Sequence, residues 1–131
     1  MKTLRRATRE FNEIIAAEAR KRSAALVDIH ELARRLDQHG YRIAGQTLHT
    51  SFLGGIFSLD GIHPTNTGYA IIANEFIGVL DCELGGQIPP VCVDDIARED
   101  PLVLPDQKQP PSALGCLSHA SVRCLCETFS H

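Results

Sequence analysis

The sequence predicts an α/β fold, helix-rich with few strands. Three observations carry this. A charged amphipathic pattern opens the chain, a short unbroken apolar run follows it at once, and a proline-then-cap helix start stands near the middle. The predicted order is helix, strand, helix, loop, helix. Only one strand is convincing, and a lone parallel strand cannot satisfy its own edges. The chain therefore reads as the end of a domain whose beginning lies elsewhere.

The first helix rests on Leu4, Phe11, Ile14, Ile15 and Ala19. They recur at helical spacing with Arg5, Arg9, Glu13, Arg20 and Arg22 between them. The Arg-rich surface reads as a solvated face. "AALVDI" (residues 24–29) is short, almost wholly apolar and does not alternate, the pattern of a strand buried on both faces. Asp28 then falls near the strand's carboxyl end, beside any active site or bonded to a neighbouring loop, and His30 ends the strand. "HELARRLDQHG" reads as a short helix stopped by Gly40, with His39 at its negative end.

Glycines at 45, 54 and 55 break residues 41–59 into mostly loop. Gly54-Gly55 is a hinge rather than a phosphate cradle, since no lysine follows it. Pro64 then blocks helix, and Thr65 or Asn66 caps the next one, whose apolar face is Tyr69, Ile72, Ala73, Phe76 and Leu80. After Gly85 and Gly86, "IPPVCVDDIAREDPLVLP" suits a short strand or a surface-hugging extension. Residues 106–131 have no clear period, and weak order is expected there. The expected divisions are 1–86 for the main body, 87–105 for a closing extension and 106–131 for a tail.

The chain has 131 residues and a formal net charge of −3, with no tryptophan. No basic excess points to nucleic acid. No apolar run is long enough to cross a bilayer. The basic start lacks the apolar core of a signal peptide, so export of a parent protein is left open and localisation is not assigned. Five cysteines at irregular spacing make a poor disulfide framework. A Cys82–Cys92 bridge suits an oxidising compartment, and thiols a reducing one. Cys116, His119, Cys124 and Cys126 could form a Cys₃His zinc set, but the segment lacks knuckle glycines, and a tail with incidental cysteines is the preferred reading. His30, His39 and His49 share no ligand spacing. No cofactor and no metal site are assigned.

The chemistry concentrates in "SLDGIHPTNTGYAIIANEFI" (residues 58–77). Asp60 and His63 bracket Gly61 and Ile62. In a tight loop the carboxylate can reach the imidazole, fix its tautomer and stabilise the imidazolium formed on proton transfer. The other ring nitrogen stays available for a proton from a hydroxyl, water or thiol. On the spacing alone the plain alternative is the preferred one: Asp before Gly is ordinary turn chemistry, and His before Pro can be a surface residue at a helix start.

"DGIHPTNTGYAIIAN" resembles the last sequence block of the SGNH hydrolases, also called the GDSL esterase/lipase family: Asp-x-x-His-Pro, a small polar cap, Gly and a terminal helix. The resemblance extends over about Leu4 to Pro105 and is strong from Phe57 to Phe76. "IPPVCV" and "DPLVLP" resemble the closing extension of some bacterial members. It implies the C-terminal portion of a flavodoxin-like three-layer α/β/α (SGNH) sandwich. It implies hydrolysis of a small acyl ester through a serine nucleophile and a covalent acyl-enzyme, with no metal. His63 would be the general base and Asp60 its orienting partner.

The family's Gly-Asp-Ser, oxyanion-glycine and Gly-x-Asn-Asp blocks do not occur in this sequence. None of Ser23, Ser51, Ser58, Ser112, Ser118, Ser121 and Ser130 follows Gly-Asp or sits in G-x-S-x-G. Ser58 reads as a structural loop residue, because a nucleophile normally comes from another element. The expectation is thus an ester hydrolase (esterase, lipase or acyl hydrolase) incomplete and inactive alone. The alternative is a non-catalytic fragment serving as an interaction or binding module. Exposed sheet edges leave homo-oligomerisation open.

Overall fold

The computed structural model describes residues 2–43 and 45–103. Its elements run α1 (Lys2–Lys21), α2 (Ile29–His39), β1 (Tyr41–Ile43), β2 (Gln46–Leu48), α3 (Asn66–Leu84) and α4 (Val93–Glu99). Among the described residues the sheet has two strands, β1 and β2, paired antiparallel with Tyr41 opposite Leu48 and Ile43 opposite Gln46.

The core is a layer of α2, α3 and α4 closed at one end by the hairpin. Leu32 and Leu36 of α2, Ile43 and Leu48 of the hairpin, Ile56, Ala70 and Ile71 of α3, and Val93, Ala97 and Val103 form one buried apolar cluster. Leu32 and Leu36 fall four apart, so both face the same way across α2. Arg35 on α2 bonds Glu75 on α3 at 2.7 Å, pinning the two helices at the margin of the core.

The first helix forms as its periodicity predicts, but among the described residues none of its apolar side chains joins the buried cluster. Leu4, Phe11, Ile14 and Ile15 are all exposed. The helix ends where Ser23 takes a left-handed φ of 50°.

Residues 24–28 correct the strand expectation. They are irregular, and Ala24 and Ala25 are exposed. A strand needs neighbours for its N–H and C=O groups, and among the described residues β1 and β2 pair only with each other. The run also ends early, because Asp28 is a better cap than strand residue. Its carboxylate accepts the Glu31 N–H at 2.8 Å and starts α2, with Glu31 in the third helical position. His30 accordingly lies inside α2 and exposed, not at a strand end.

Gly40 ends α2 as expected, with φ 67° and its N–H on Leu36 O. Residues 41–59 hold a hairpin that the glycine spacing obscured. Thr65 caps α3, its hydroxyl accepting the Gly68 N–H at 3.0 Å, and Gly85 closes the helix in the left-handed region. The buried face of α3 is Thr67, Gly68, Ala70 and Ile71, with Ile72 packed against the core, while Tyr69 and Phe76 are exposed. The expected face was thus displaced, because small residues let α3 approach its neighbours closely.

The stretch after Gly86 forms no strand. It turns into α4, whose Val93 and Ala97 enter the core. Asp94 and Asp95 occupy its first turn, favourable at a helix N-terminus. The Cys82–Cys92 bridge is not formed. Cys92 keeps its thiol, which hydrogen-bonds the Asp95 carboxylate. The expected tail at 106–131, with the Cys116, His119, Cys124 and Cys126 set, lies outside the described residues. No helix among the described residues is long and apolar enough to cross a membrane.

Candidate active site

The loop from Gly55 to Thr65 is a narrow two-legged bracket standing on the N-terminus of α3. Its legs are laced by backbone bonds: Thr65 N–H to Ile56 O at 3.0 Å, and Ser58 N–H to His63 O at 2.8 Å, with Phe57 bridging Pro64 between them. The Thr65 hydroxyl ties the base to Gly55 O at 2.8 Å. At the tip, Gly61 N–H bonds Ser58 O at 2.9 Å. Gly61 has φ 66°, a conformation that costs other residues, so the Asp-Gly step is needed for the turn itself.

Asp60 organises the tip. Its Oδ1 accepts the Ser58 hydroxyl at 2.7 Å, the Ile62 N–H at 2.9 Å and the His63 N–H at 3.0 Å. Its Oδ2 faces His63 Nδ1 at 2.5 Å. The bond to the His63 ring, then those from Ile62 N–H, Ser58 hydroxyl and His63 N–H, hold the Asp60 carboxyl well below its usual range. It is therefore an anion across the neutral range and an acceptor for Nδ1–H. With Nδ1 so engaged, Nε2 is the nitrogen left to accept a proton. The His63 side chain is 71% exposed, so Nε2 is open to an incoming group.

The structure thus brings Asp60 and His63 together as the D-x-x-H spacing suggested. It also uses both plain features, since the same carboxylate makes an Asx turn. Ser58 is a loop residue whose hydroxyl serves Asp60, not Nε2. The sequence reading missed that service. The signal was a hydroxyl two residues before an Asp, a spacing at which side chain and carboxylate meet across a turn. Asp28 is spent on capping α2.

Pro64 stiffens the step from His63 into the capped helix. Gly68 sits where a Cβ would lie 2.3 Å from Ile56 O, so the helix start packs directly on the backbone of the loop's first leg. A shallow cleft elsewhere, lined by Gln46, His49, Leu53, Gly54, Leu102 and Val103, includes neither Asp60 nor His63. Among the described residues no group of three His, Cys, Asp or Glu is placed to hold a metal ion.

A family model described as GDSL-like Lipase/Acylhydrolase matches residues 2–76, over half of the 131-residue chain. The matched span takes in α1, α2, the hairpin, the Asp60–His63 loop and the first half of α3, and stops short of α4. No curated relative and no solved structure matches the chain. With the family's span laid over the helix–loop–helix segment that carries the acid–histidine pair, this chain belongs to the GDSL-like lipase/acylhydrolases.

Proposed function

We propose that the chain supplies the acid–base half of a serine ester hydrolase acting on a small acyl ester. The observation that supports this most is the 2.5 Å contact of Asp60 Oδ2 with His63 Nδ1, which leaves Nε2 bare and exposed. In this reading His63 Nε2 takes the proton of a serine hydroxyl as its oxygen attacks the ester carbonyl. Asp60 stabilises the imidazolium. His63 then returns the proton to the leaving alkoxide, and the acyl-enzyme forms. A water, deprotonated by the same nitrogen, cleaves it.

The serine comes from outside this sequence. No serine here follows Gly-Asp, and the Ser58 hydroxyl donates to Asp60. A flavodoxin-like sandwich completed by the rest of the domain would also cover Leu4, Phe11, Ile14 and Ile15 of α1. Residues 1–86 are then the closing part of that domain, and 87–105 an extension laid over it. The same exposed face favours the second reading, a non-catalytic interaction module. It also allows self-association, to which the edges of the β1–β2 hairpin would add.

The test is hydrolysis of p-nitrophenyl butyrate by the purified chain, beside His63→Ala and a serine-reactive phosphonate. We expect no labelled serine and a rate about 10⁴-fold or more below that of a complete triad. A labelled serine whose turnover is lost in His63→Ala would overturn the external nucleophile. A labelled serine whose turnover is indifferent to His63→Ala would overturn the base.

A further inference from the structure

Asp100 follows α4 and lies beyond the residues the family model matches, yet it reaches back to the start of α3. It is 4% exposed, a buried carboxylate in the apolar layer. Its Oδ2 accepts the Thr67 N–H and the Thr67 hydroxyl, both at 2.8 Å, and its Oδ1 accepts the Leu102 N–H at 3.0 Å. Thr67 is itself fully buried. Burial pushes the Asp100 carboxyl up, but the bonds from Thr67 N–H, Leu102 N–H and the Thr67 and Thr65 hydroxyls outweigh it and keep the group below its usual value.

The start of a helix leaves several N–H groups without helical partners; the Thr65 hydroxyl takes that of Gly68, and Asp100 takes the buried one of Thr67. An apolar residue at position 100 would leave the buried Thr67 N–H and hydroxyl without this acceptor. What the carboxylate adds is a fixed grip on the first turn of α3 from a separate segment. That segment is secured at its other end by Asn74, which donates to Val91 O at 2.9 Å and accepts Val91 N–H at 2.7 Å. Between Thr67 and His63 stand only Asn66, the Thr65 cap and Pro64, whose φ is fixed by its ring. Thr65 also carries two of the ties to the loop's first leg, at Gly55 and Ile56. A shift of the first turn therefore moves the His63 backbone and both legs of the bracket.

We propose that Asp100 is a positioning residue for His63. The segment from Val91 to Val103 is then a strap that sets the imidazole against Asp60, acting through Thr67 and the first turn of α3. This rests on the reading of His63 as the base held by Asp60.

The test reads the ring itself. In the full chain with ¹⁵N-labelled histidine, neutral His63 gives distinct long-range ¹H–¹⁵N patterns for its two tautomers. Wild type is expected in the Nδ1–H form, with Asp60→Ala reverting to the Nε2–H form that free imidazole side chains favour. Loss of the Nδ1–H form in Asp60→Ala, or its absence in wild type, speaks to the Asp60–His63 pair alone. Absence in wild type would overturn that pair and the positioning role with it. Folded Asp100→Ala is expected to lose the single Nδ1–H pattern and show both tautomers, and Asp100→Asn, which keeps an acceptor for Thr67, to restore it. A folded Asp100→Ala with the wild-type His63 pattern would overturn the proposal. Should that variant not fold, Thr67→Val, which removes one bond without changing shape, is read the same way. Mixed tautomers support the strap, and an unchanged pattern overturns it.

Discussion

One carboxylate both builds the loop and aims the ring: Asp60 Oδ1 accepts the His63 N–H at 3.0 Å while Asp60 Oδ2 meets His63 Nδ1 at 2.5 Å. The backbone bond fixes where the histidine stands and the side-chain bond fixes how it is turned. The two uses can be separated chemically. Asp60→Asn retains an acceptor for the backbone donors but can present an amide N–H to Nδ1, which favours the wrong tautomer. We predict that this variant keeps the wild-type thermal midpoint to within a few degrees. In any form of the domain that turns over esters it should lose about 10⁴-fold in kcat, as tautomer reversal does in other triads. Melting curves and p-nitrophenyl ester assays on the same preparations check both halves.

The acid limb of the stability curve should report the two organised carboxylates. Asp60 and Asp100 are both held below the ordinary 3.8. A depressed folded-state value contributes stability that is present above 3.8 and is lost as pH falls through the lower folded value. Urea midpoints measured on either side of 3.8 should therefore drop toward acid in wild type. Asp100→Asn should flatten that fall most, because Asp60 is solvent-exposed and screened. Equal slopes in wild type and variant would contradict this.

Gly68→Ala sets two effects against each other. In a helix interior alanine gains about 1 kcal/mol over glycine. Here the added carbon would lie 2.3 Å from the Ile56 carbonyl oxygen and 2.9 Å from Pro64 Cβ. Both are held by the loop's own lacing, and overpacking of this kind costs roughly 1–3 kcal/mol. The clash outweighs the gain, so we predict a net loss of up to about 2 kcal/mol, read as a lowered urea midpoint at unchanged slope. A gain in stability would show that the loop leg gives way freely.

The first helix and the core should respond differently to the same kind of change. Ile14 is 59% and Ile15 54% exposed. Replacing either with serine should move stability by no more than about 0.5 kcal/mol. Leu36→Ala or Ile71→Ala opens a cavity in the buried cluster and should cost about 2–5 kcal/mol. If the α1 substitutions cost as much as the core ones, the helix is covered in solution, by a second copy or by another partner, and sedimentation would then show a species larger than the monomer.

Much of this molecule was legible before any coordinates. Helix periodicity located α1 and α3, Gly40 stopped α2, and the Pro64–Thr65 pair set the start of the terminal helix. The D-x-x-H spacing put Asp60 within reach of the His63 ring, and the resemblance of the block around them made the pair the candidate site. What misled was context that a local pattern cannot carry. Residues 24–29 have the composition of a buried strand, but composition does not supply neighbouring strands, and Asp28 is claimed by the helix after it. The buried face of α3 was misjudged because Thr67 and Gly68 look like surface residues until Asp100 and Ile56 are placed against them. Asp100 itself carried no signal. Its partner stands far off in sequence, and an Asp between a helix and a proline reads as ordinary turn chemistry.

The most direct test joins this chain to the Gly-Asp-Ser-bearing N-terminal half of a GDSL-like relative and measures p-nitrophenyl butyrate hydrolysis with and without His63→Ala. The account predicts turnover in the joined protein that falls by about 10³-fold or more in His63→Ala, with phosphonate labelling confined to the added serine. Turnover of equal rate in both would contradict the assignment of His63 as the base.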